Sequence, residues 1–341
     1  MEKILVTGDK GYIGSVLCEK LVTKGYQVVG IDTGFFEKNL VYPQKIKYKK
    51  IHKDVRKITK QDLVGIDSII HLSALSNDPM GELNAKLTEQ INHTATIKLA
   101  KLAKKSGVKR FIFSSSCSIY GISKTGIVDE NSKPNPLTEY ARSKIKSEKE
   151  LSLLADKEFF VGLLRNSTVY GFSPRFRDDL VVNNLISSAL SYGELRIMSD
   201  GSPWRPLIDV SDLADIFIEF INTQNYKLNG KIVNIGFSEN NFRVKDLVNI
   251  ISKNLPKCKI VYTGEHGRDS RSYKVKFNLF KKNFPNVKQK WTLEKSVKNI
   301  IKNLKDSGYT SKVFESGKYT RVKTLKKLLE SKKINKSLYW I

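Results

Sequence analysis

The chain has little cysteine: three residues, Cys18, Cys117 and Cys258, in 341. An odd and widely spaced set offers neither a disulfide framework nor the paired spacing of a metal site, so a reducing, cytoplasmic setting without a bound metal is expected. Long apolar runs are missing as well. No stretch reaches the ~20 residues that cross a bilayer. Residues 1–8 (MEKILVTG) are too short and wrongly flanked for a secretion signal, and read instead as a first strand entering a turn. Internal repeats and low-complexity linkers are absent too. Acidic residues are scarce beside basic ones, 34 against 60, which leaves a formal net charge of +26. A field of that sign attracts nucleic acid, anionic membranes and phosphorylated metabolites. The excess, however, is mostly lysine spread along the chain with many Ile and Asn, as AT-rich coding sequence yields. The densest basic stretch, 274–336, interleaves Phe and Tyr but carries no RNA-binding signature. Neither a nucleic-acid nor a membrane partner is therefore expected.

What is present is the composition of a folded chain, 40% hydrophobic and long enough for one large domain or two. The first half alternates short apolar runs (4–7, 28–31, 68–72, 111–115, 159–164) with amphipathic helical segments (13–24, 87–105, 140–155). This rhythm predicts an α/β fold, a doubly wound parallel sheet of Rossmann-like type, with ligands at the C-terminal strand ends. After Gly171 the rhythm breaks. Helices are expected at 179–192, 211–223 (capped by Asp209 or Ser211) and 244–253, a buried strand at 232–235, and a basic helical tail from Leu293. The dinucleotide domain is placed at 1–170, with a segment returning near 207–236. A smaller α/β substrate-binding lobe takes 171–206 and 237–341.

The turn Thr7-Gly-Asp-Lys-Gly-Tyr-Ile-Gly14 lies between the first strand and the first helix. Gly8, Gly11 and Gly14 there permit a tight turn, close approach of backbone to a pyrophosphate, and close helix–strand packing. The helix N-terminus supplies free N–H groups and a positive dipole to the phosphates. Asp32 ends the second strand, 18 residues beyond Gly14. A carboxylate there accepts from ribose hydroxyls and repels a 2′-phosphate, and no Arg follows nearby in sequence, which favours NAD over NADP. Further on come the serine run Ser114-Ser-Ser116, closing an apolar strand, and Tyr140-Ala-Arg-Ser-Lys144. Tyr140 and Lys144 are four apart on a helix and share a face. A nearby ammonium stabilises a tyrosinate and lowers a phenol from ~10 toward the working range, so Tyr140 is a candidate general base. Ser116 emerges where it could bond the same oxygen.

Together with His71-Leu-Ser-Ala74, Asn92 and Ser116-Cys-Ser-Ile-Tyr-Gly121, these residues resemble the extended short-chain dehydrogenase/reductase family, nearest its nucleotide-sugar epimerases and dehydratases. The resemblance implies that Gly8, Gly11, Tyr12, Ile13 and Gly14 hold the NAD pyrophosphate, Asp32 the adenosine ribose, and Asp54 and Val55 the adenine. It implies that Leu72, Ser73, Ala74, Asn92 and Ser114 line the cofactor cleft. Ser116 and Tyr140 would contact the reacting hydroxyl, and Lys144 the nicotinamide ribose. On the substrate side it implies Ser116, Cys117, Ser118, Asn166 and Thr168. Asn184 would meet a diphosphate that Arg205 and Arg268 or Arg271 clamp. Dehydratases of this group carry acids just after the catalytic Ser or Thr, whereas Cys117 and Ser118 stand here. The resemblance therefore points to NAD-dependent epimerisation of a nucleotide-diphosphate sugar at C4, with single-hydride oxidation or ketone reduction open as the alternative. It also implies a cytoplasmic homodimer serving polysaccharide biosynthesis.

Overall fold

The computed structural model describes residues 1–76, 84–263 and 271–341. In chain order the strands are β1 (Lys3–Thr7), β2 (Gln27–Asp32), β3 (Lys49–His52), β4 (Ser68–His71), β5 (Arg110–Ser116), β6 (Ile122–Val128) and β7 (Phe160–Asn166), then β8 (Thr168–Tyr170), β9 (Glu194–Ile197), β10 (Trp204–Asp209), β11 (Ile232–Ile235), β12 (Asn241–Arg243), β13 (Lys259–Tyr262) and β14 (Ser272–Val275). The helices are α1 (Tyr12–Thr23), α2 (Ala85–Glu89), α3 (Ala95–Lys105), α4 (Glu139–Ser152), α5 (Val181–Tyr192), α6 (Val210–Asn222), α7 (Val244–Asn254), α8 (Asn278–Asn283), α9 (Leu293–Asp306), α10 (Ser311–Ser316) and α11 (Arg321–Glu330).

Seven strands form one parallel sheet in the order β11-β7-β5-β4-β1-β2-β3. The chain runs from β1 out to β3, then returns to the other side of β1 with β4. That reversal opens a crevice above the C-terminal ends of β1 and β4, where parallel sheets bind ligands. Alternation within each strand divides the core between the two faces. Leu5, Ile69, Phe111, Phe113 and Leu163 join one buried cluster with Leu99 and Ala103 of α3. Ile4, Val6, Ile70, Ile112 and Leu164 join the other, with Leu17 and Leu21 of α1 and Leu213 and Phe217 of α6. A third cluster lies outside this sheet, among α5, α7 and α9, through Leu185, Ile186, Leu247, Ile251, Val297 and Ile300.

The Rossmann-like sheet expected from the sequence is present, and each of the six apolar runs forms one of its strands. The seventh, β3, is an edge strand of sequence KKIH that is largely exposed, so it lacks the apolar signal of its neighbours. The long helix expected at 87–105 is interrupted at Gln90–Thr94 by a π-helical turn. Short strands build the rest: β10 pairs with β8 and β12, β9 with β13, and β6 with β14. Of the returning segment, β11 enters the main sheet while β10 does not. Asp209, not Ser211, caps α6, accepting from Ser211 N at 2.7 Å.

Candidate active site

The strand ends converge on the crevice. Gly8 adopts φ +78°, and an added Cβ would lie 3.0 Å from Ser73 N. A Cβ on Gly11 would come 3.0 Å from the Gly8 carbonyl, and one on Gly14 would fall 2.8 Å from the Asp9 Cα. The turn therefore requires glycine at Gly8, for its positive φ, and at Gly14, for close packing, and leaves little room at Gly11. No side chain caps the N-terminus of α1. An uncapped helix end above a glycine turn fits a dinucleotide pyrophosphate, which would take up its free N–H groups. The phenol of Tyr12 is buried and donates to Gly171 O at 2.7 Å, fastening the 171–179 segment beside that turn.

At the end of β2, where the resemblance puts the adenosine, Asp32 accepts from Gly34 N at 2.7 Å. Its carboxyl is held above the usual range by burial. No arginine closely follows Asp32 in sequence, and the fold brings one from elsewhere. Arg175, distant in sequence, lies within electrostatic reach of Asp32, and its Nη1 donates to Phe36 O and Glu37 O at 2.6 and 2.7 Å. Its Nε is buried without a partner. Asp54 caps the turn containing Val55 by accepting from Arg56 N at 2.8 Å, and it is gripped by the Arg56 guanidinium at 2.9 and 2.6 Å. Asp9, which the sequence reading passed over, is buried beside Asp32 and accepts from Tyr48 at 2.9 Å. Burial and the Asp32 carboxylate raise it to about 6.

On the crevice floor His71 is buried between the Thr7 and Thr96 hydroxyls, at 2.7 and 2.8 Å. Burial lowers it to about 3, so it stays neutral and acts as a strut. Ser73 N donates to Thr7 Oγ1 at 3.3 Å, aligning the Leu72–Ala74 stretch over the glycine turn. The π-helical turn brings in Asn92, whose amide accepts from Leu75 N at 2.8 Å and donates to Leu75 O and to Ser143. Asn92 therefore ties this wall of the crevice to α4, with both ends of its amide engaged. An i→i+5 turn at such a position is a recurrent feature of functional sites.

Thr138 caps α4 by accepting from Ala141 N, and Glu139 in the first turn suits the helix dipole. That fixes Tyr140 near the helix start, half-buried, with Lys144 one turn on. The Lys144 Nζ sits 5.6 Å from the Tyr140 ring centroid and 4.5 Å from that of Phe113. It donates to Ser114 O at 2.7 Å. Burial pulls Lys144 down to about 7, opposed by the negative charge of Glu148. The ammonium expected from sequence is thus easier to deprotonate than that of an ordinary lysine. Ser116 ends β5 and donates to Ser118 Oγ at 3.0 Å. Asn166, at the end of β7, donates to Ser114 Oγ at 2.9 Å and leaves its Oδ1 buried without a partner. Thr168 begins β8 and is half-buried. Cys117 is buried, its thiol donating to Arg165 O at 3.1 Å, and burial pushes that thiol up. It sits there as a packed hydrophobe.

Beneath these residues is a polar network that the sequence reading missed. Glu148, on α4 one turn past Lys144, is buried against Arg165 of β7 at 2.7 Å and accepts from Ser115 at 2.5 Å. Arg165 also donates to Tyr120 at 2.9 Å, and Tyr120 donates to Asn234 of β11 at 2.8 Å. Glu148 follows Lys144 at the same spacing as Lys144 follows Tyr140, which was the available signal.

Among the proposed diphosphate contacts, Arg205 is buried in β10, where its Nη1 donates to Trp204 O at 2.9 Å and to Arg271 O. The structure thus brings Arg205 and Arg271 together. Arg268 lies outside the described residues. Asn184, half-buried on α5, donates to Asp178 O at 2.8 Å. Arg177, also missed, pairs with Asp179 at 2.8 Å and lies within electrostatic reach of Tyr12 and Tyr140.

These features define a class: an α/β fold with a glycine turn and an uncapped helix end at the crevice of its parallel sheet, Ser116 at a strand end, and Tyr140 and Lys144 on helix α4. Residues 4–236 match the NAD dependent epimerase/dehydratase family, and the chain belongs to that family. It is similar to a putative UDP-glucose 4-epimerase of Methanocaldococcus jannaschii, with 29% identity over 325 residues spanning 90% of this chain and 100% of that one. It is 33% identical to the uncharacterized UDP-glucose epimerase YtcB of Bacillus subtilis, across 70% of this chain and 77% of that one. Among solved structures, MoeE5 in complex with UDP-glucose and NAD superposes with a TM-score of 0.77 at 26% identity, covering 89% of this chain and 99% of that one. The protein is an enzyme that uses NAD. Among the described residues no helix is long and apolar enough to cross a membrane.

Proposed function

We propose that the protein interconverts the C4 epimers of a nucleotide-diphosphate sugar. The observations that support this reading are Tyr140 and Lys144 one turn apart on α4, with Lys144 donating to Ser114 O of β5, and Cys117 and Ser118, rather than carboxylic acids, after Ser116. Without an acid next to Ser116, there is no group at that position to expel water from the sugar. NAD bound along the glycine turn would supply reversible hydride acceptance. Tyr140 takes the proton of the C4 hydroxyl, and Ser116 donates to the same oxygen. Lys144 holds positive charge beside the phenolate and steadies the nicotinamide ribose. Once the 4-keto sugar had turned within the site to present its other face, Tyr140 would return the proton to the C4 oxygen. Arg205 and Arg271, with Asn184, form the side where the diphosphate is held. The names of the relatives support a UDP-sugar as substrate. The reading extends, on the family resemblance, to a cytoplasmic homodimer that serves polysaccharide biosynthesis.

The test is incubation with UDP-glucose, UDP-glucuronic acid and their N-acetylated counterparts, with products resolved by chromatography. Formation of the C4 epimer without net NADH is expected. Tyr140→Phe should lower turnover at least ~100-fold while NAD binding persists. Stoichiometric NADH release would replace epimerisation by a single oxidation. Sedimentation of the purified protein tests the dimer.

A further inference from the structure

We propose that the C-terminal segment 334–341 is part of the cofactor site. It acts as a strap that fixes the two loops between which the adenosine half of NAD lies, and so sets how tightly the cofactor is held. The proposal rests on the NAD site described above and adds to it residues far outside the glycine turn.

The strap is a built structure. Ile334 bridges Trp340, Asn335 N donates to Tyr339 O at 2.9 Å, and the Asn335 side chain accepts from Ser337 N and Tyr339 N at 2.9 and 3.0 Å. Leu338 adopts φ 56°, an uncommon conformation for a branched side chain. It is held there because Ile334 and Leu338 are buried in the same cluster as α3 and α11. The remaining contacts point one way. Trp340 Nε1 donates to Thr33 O at 2.6 Å, and its ring lies 5.7 Å from Phe35 and 6.1 Å from His52. Thr33 directly follows Asp32. Arg56 donates to Ser337 O and Leu338 O at 2.9 and 3.5 Å while its guanidinium grips Asp54. Its guanidinium also stands 3.8 Å from the Tyr339 ring centroid. The strap therefore ends on the neighbours of both carboxylates assigned to the adenosine.

The physical consequence is preorganisation. A ribose diol and an adenine edge need carboxylates and backbone groups held in one geometry, and two mobile loops would be ordered only at the expense of binding energy. The strap orders them beforehand. Trp340 is the informative residue, because it is 42% exposed and contributes little to the core that Ile334 and Leu338 complete.

The experiment uses the full chain freed of nucleotide. Dissociation constants for NAD, ADP-ribose and nicotinamide mononucleotide are measured by calorimetry for the parent, Trp340→Phe and Trp340→Ala, beside the melting temperature of each unliganded protein. Trp340→Phe keeps a ring and loses one donor, so NAD and ADP-ribose should bind about 5-fold more weakly. Trp340→Ala should weaken both by about 10- to 50-fold. Nicotinamide mononucleotide should change less than about 2-fold, and the unliganded melting temperature should hold. Parent-like affinity for ADP-ribose in both variants would overturn the proposal. Equal weakening of both half-ligands together with a lower melting temperature would also overturn it, by showing a merely structural strap. A parent that bound neither NAD nor ADP-ribose would overturn the NAD site itself, and the parent titration alone tells that case apart.

Discussion

Glu148→Gln tests whether the network beneath Lys144 governs the site. The substitution keeps the shape of the side chain and removes its charge. In the parent, Arg165 Nε lies 3.0 and 3.2 Å from the two Glu148 oxygens and Nη2 lies 2.7 Å from one of them. Both residues are almost fully buried. Removing one partner of such a pair leaves an uncompensated guanidinium, which costs about 3–5 kcal/mol. A chain of 341 residues has an unfolding entropy near 0.7 kcal/mol per degree, so the melting temperature should fall by about 4–7 °C. The same change removes the negative charge that holds Lys144 up against its burial. Lys144 should then lose its proton below the parent value of about 7. Any activity that needs the ammonium should fall at neutral pH, and the alkaline limb of the kcat profile should move to lower pH. Differential scanning calorimetry and the pH–rate profile read the two effects separately. A melting temperature within about 1 °C of the parent would refute the argument for the buried pair. An alkaline limb moved upward would refute the argument for its action on Lys144.

Three further substitutions follow from the same geometry. Gly14→Ala should raise helix propensity by about 1 kcal/mol in an open helix, yet its Cβ would press on the backbone of Gly8 and Asp9; net destabilisation of about 1–3 kcal/mol in urea is expected, together with lost NAD affinity, and a stabilised variant would contradict the packing. Burial raises Asp209 from 3.8 to about 7, so its contribution to stability is full below pH 3.8 and is lost as the pH rises through about 7. Asp209→Asn can still cap α6 and should be less sensitive to pH across that window, with up to about 4 kcal/mol of relative gain at pH 8; urea curves that shift with pH in parallel for both proteins would rule this out. Arg205→Ala should raise KM for the nucleotide sugar about 10- to 100-fold by removing a charged contact while NAD affinity stays, and parent-like kinetics would remove Arg205 from the diphosphate site.

The parts that could be read from sequence are those whose physics is local. Apolar runs with a period of two or of 3.6 specify strands and helices through neighbours a few residues apart. The glycines at 8, 11 and 14 specify a turn through backbone sterics alone, and Tyr140 with Lys144 share a face because four residues make about one helical turn. The order of these parts along the chain was enough to point to the family that residues 4–236 match. Tertiary structure decided the rest. β3 carries lysines and forms because β2 offers it a hydrogen-bonding edge. Lys144 is an ordinary lysine in sequence, and its lowered pKa arises from burial that only the packing of α4 on β5 creates. Glu148 and Arg165, Arg175 and Asp32, and Trp340 and Thr33 lie on separate elements, and no local pattern records their pairing. Burial and charge depend on distance in space, and it is the return of the chain through the parallel sheet and the strap that brings these residues together.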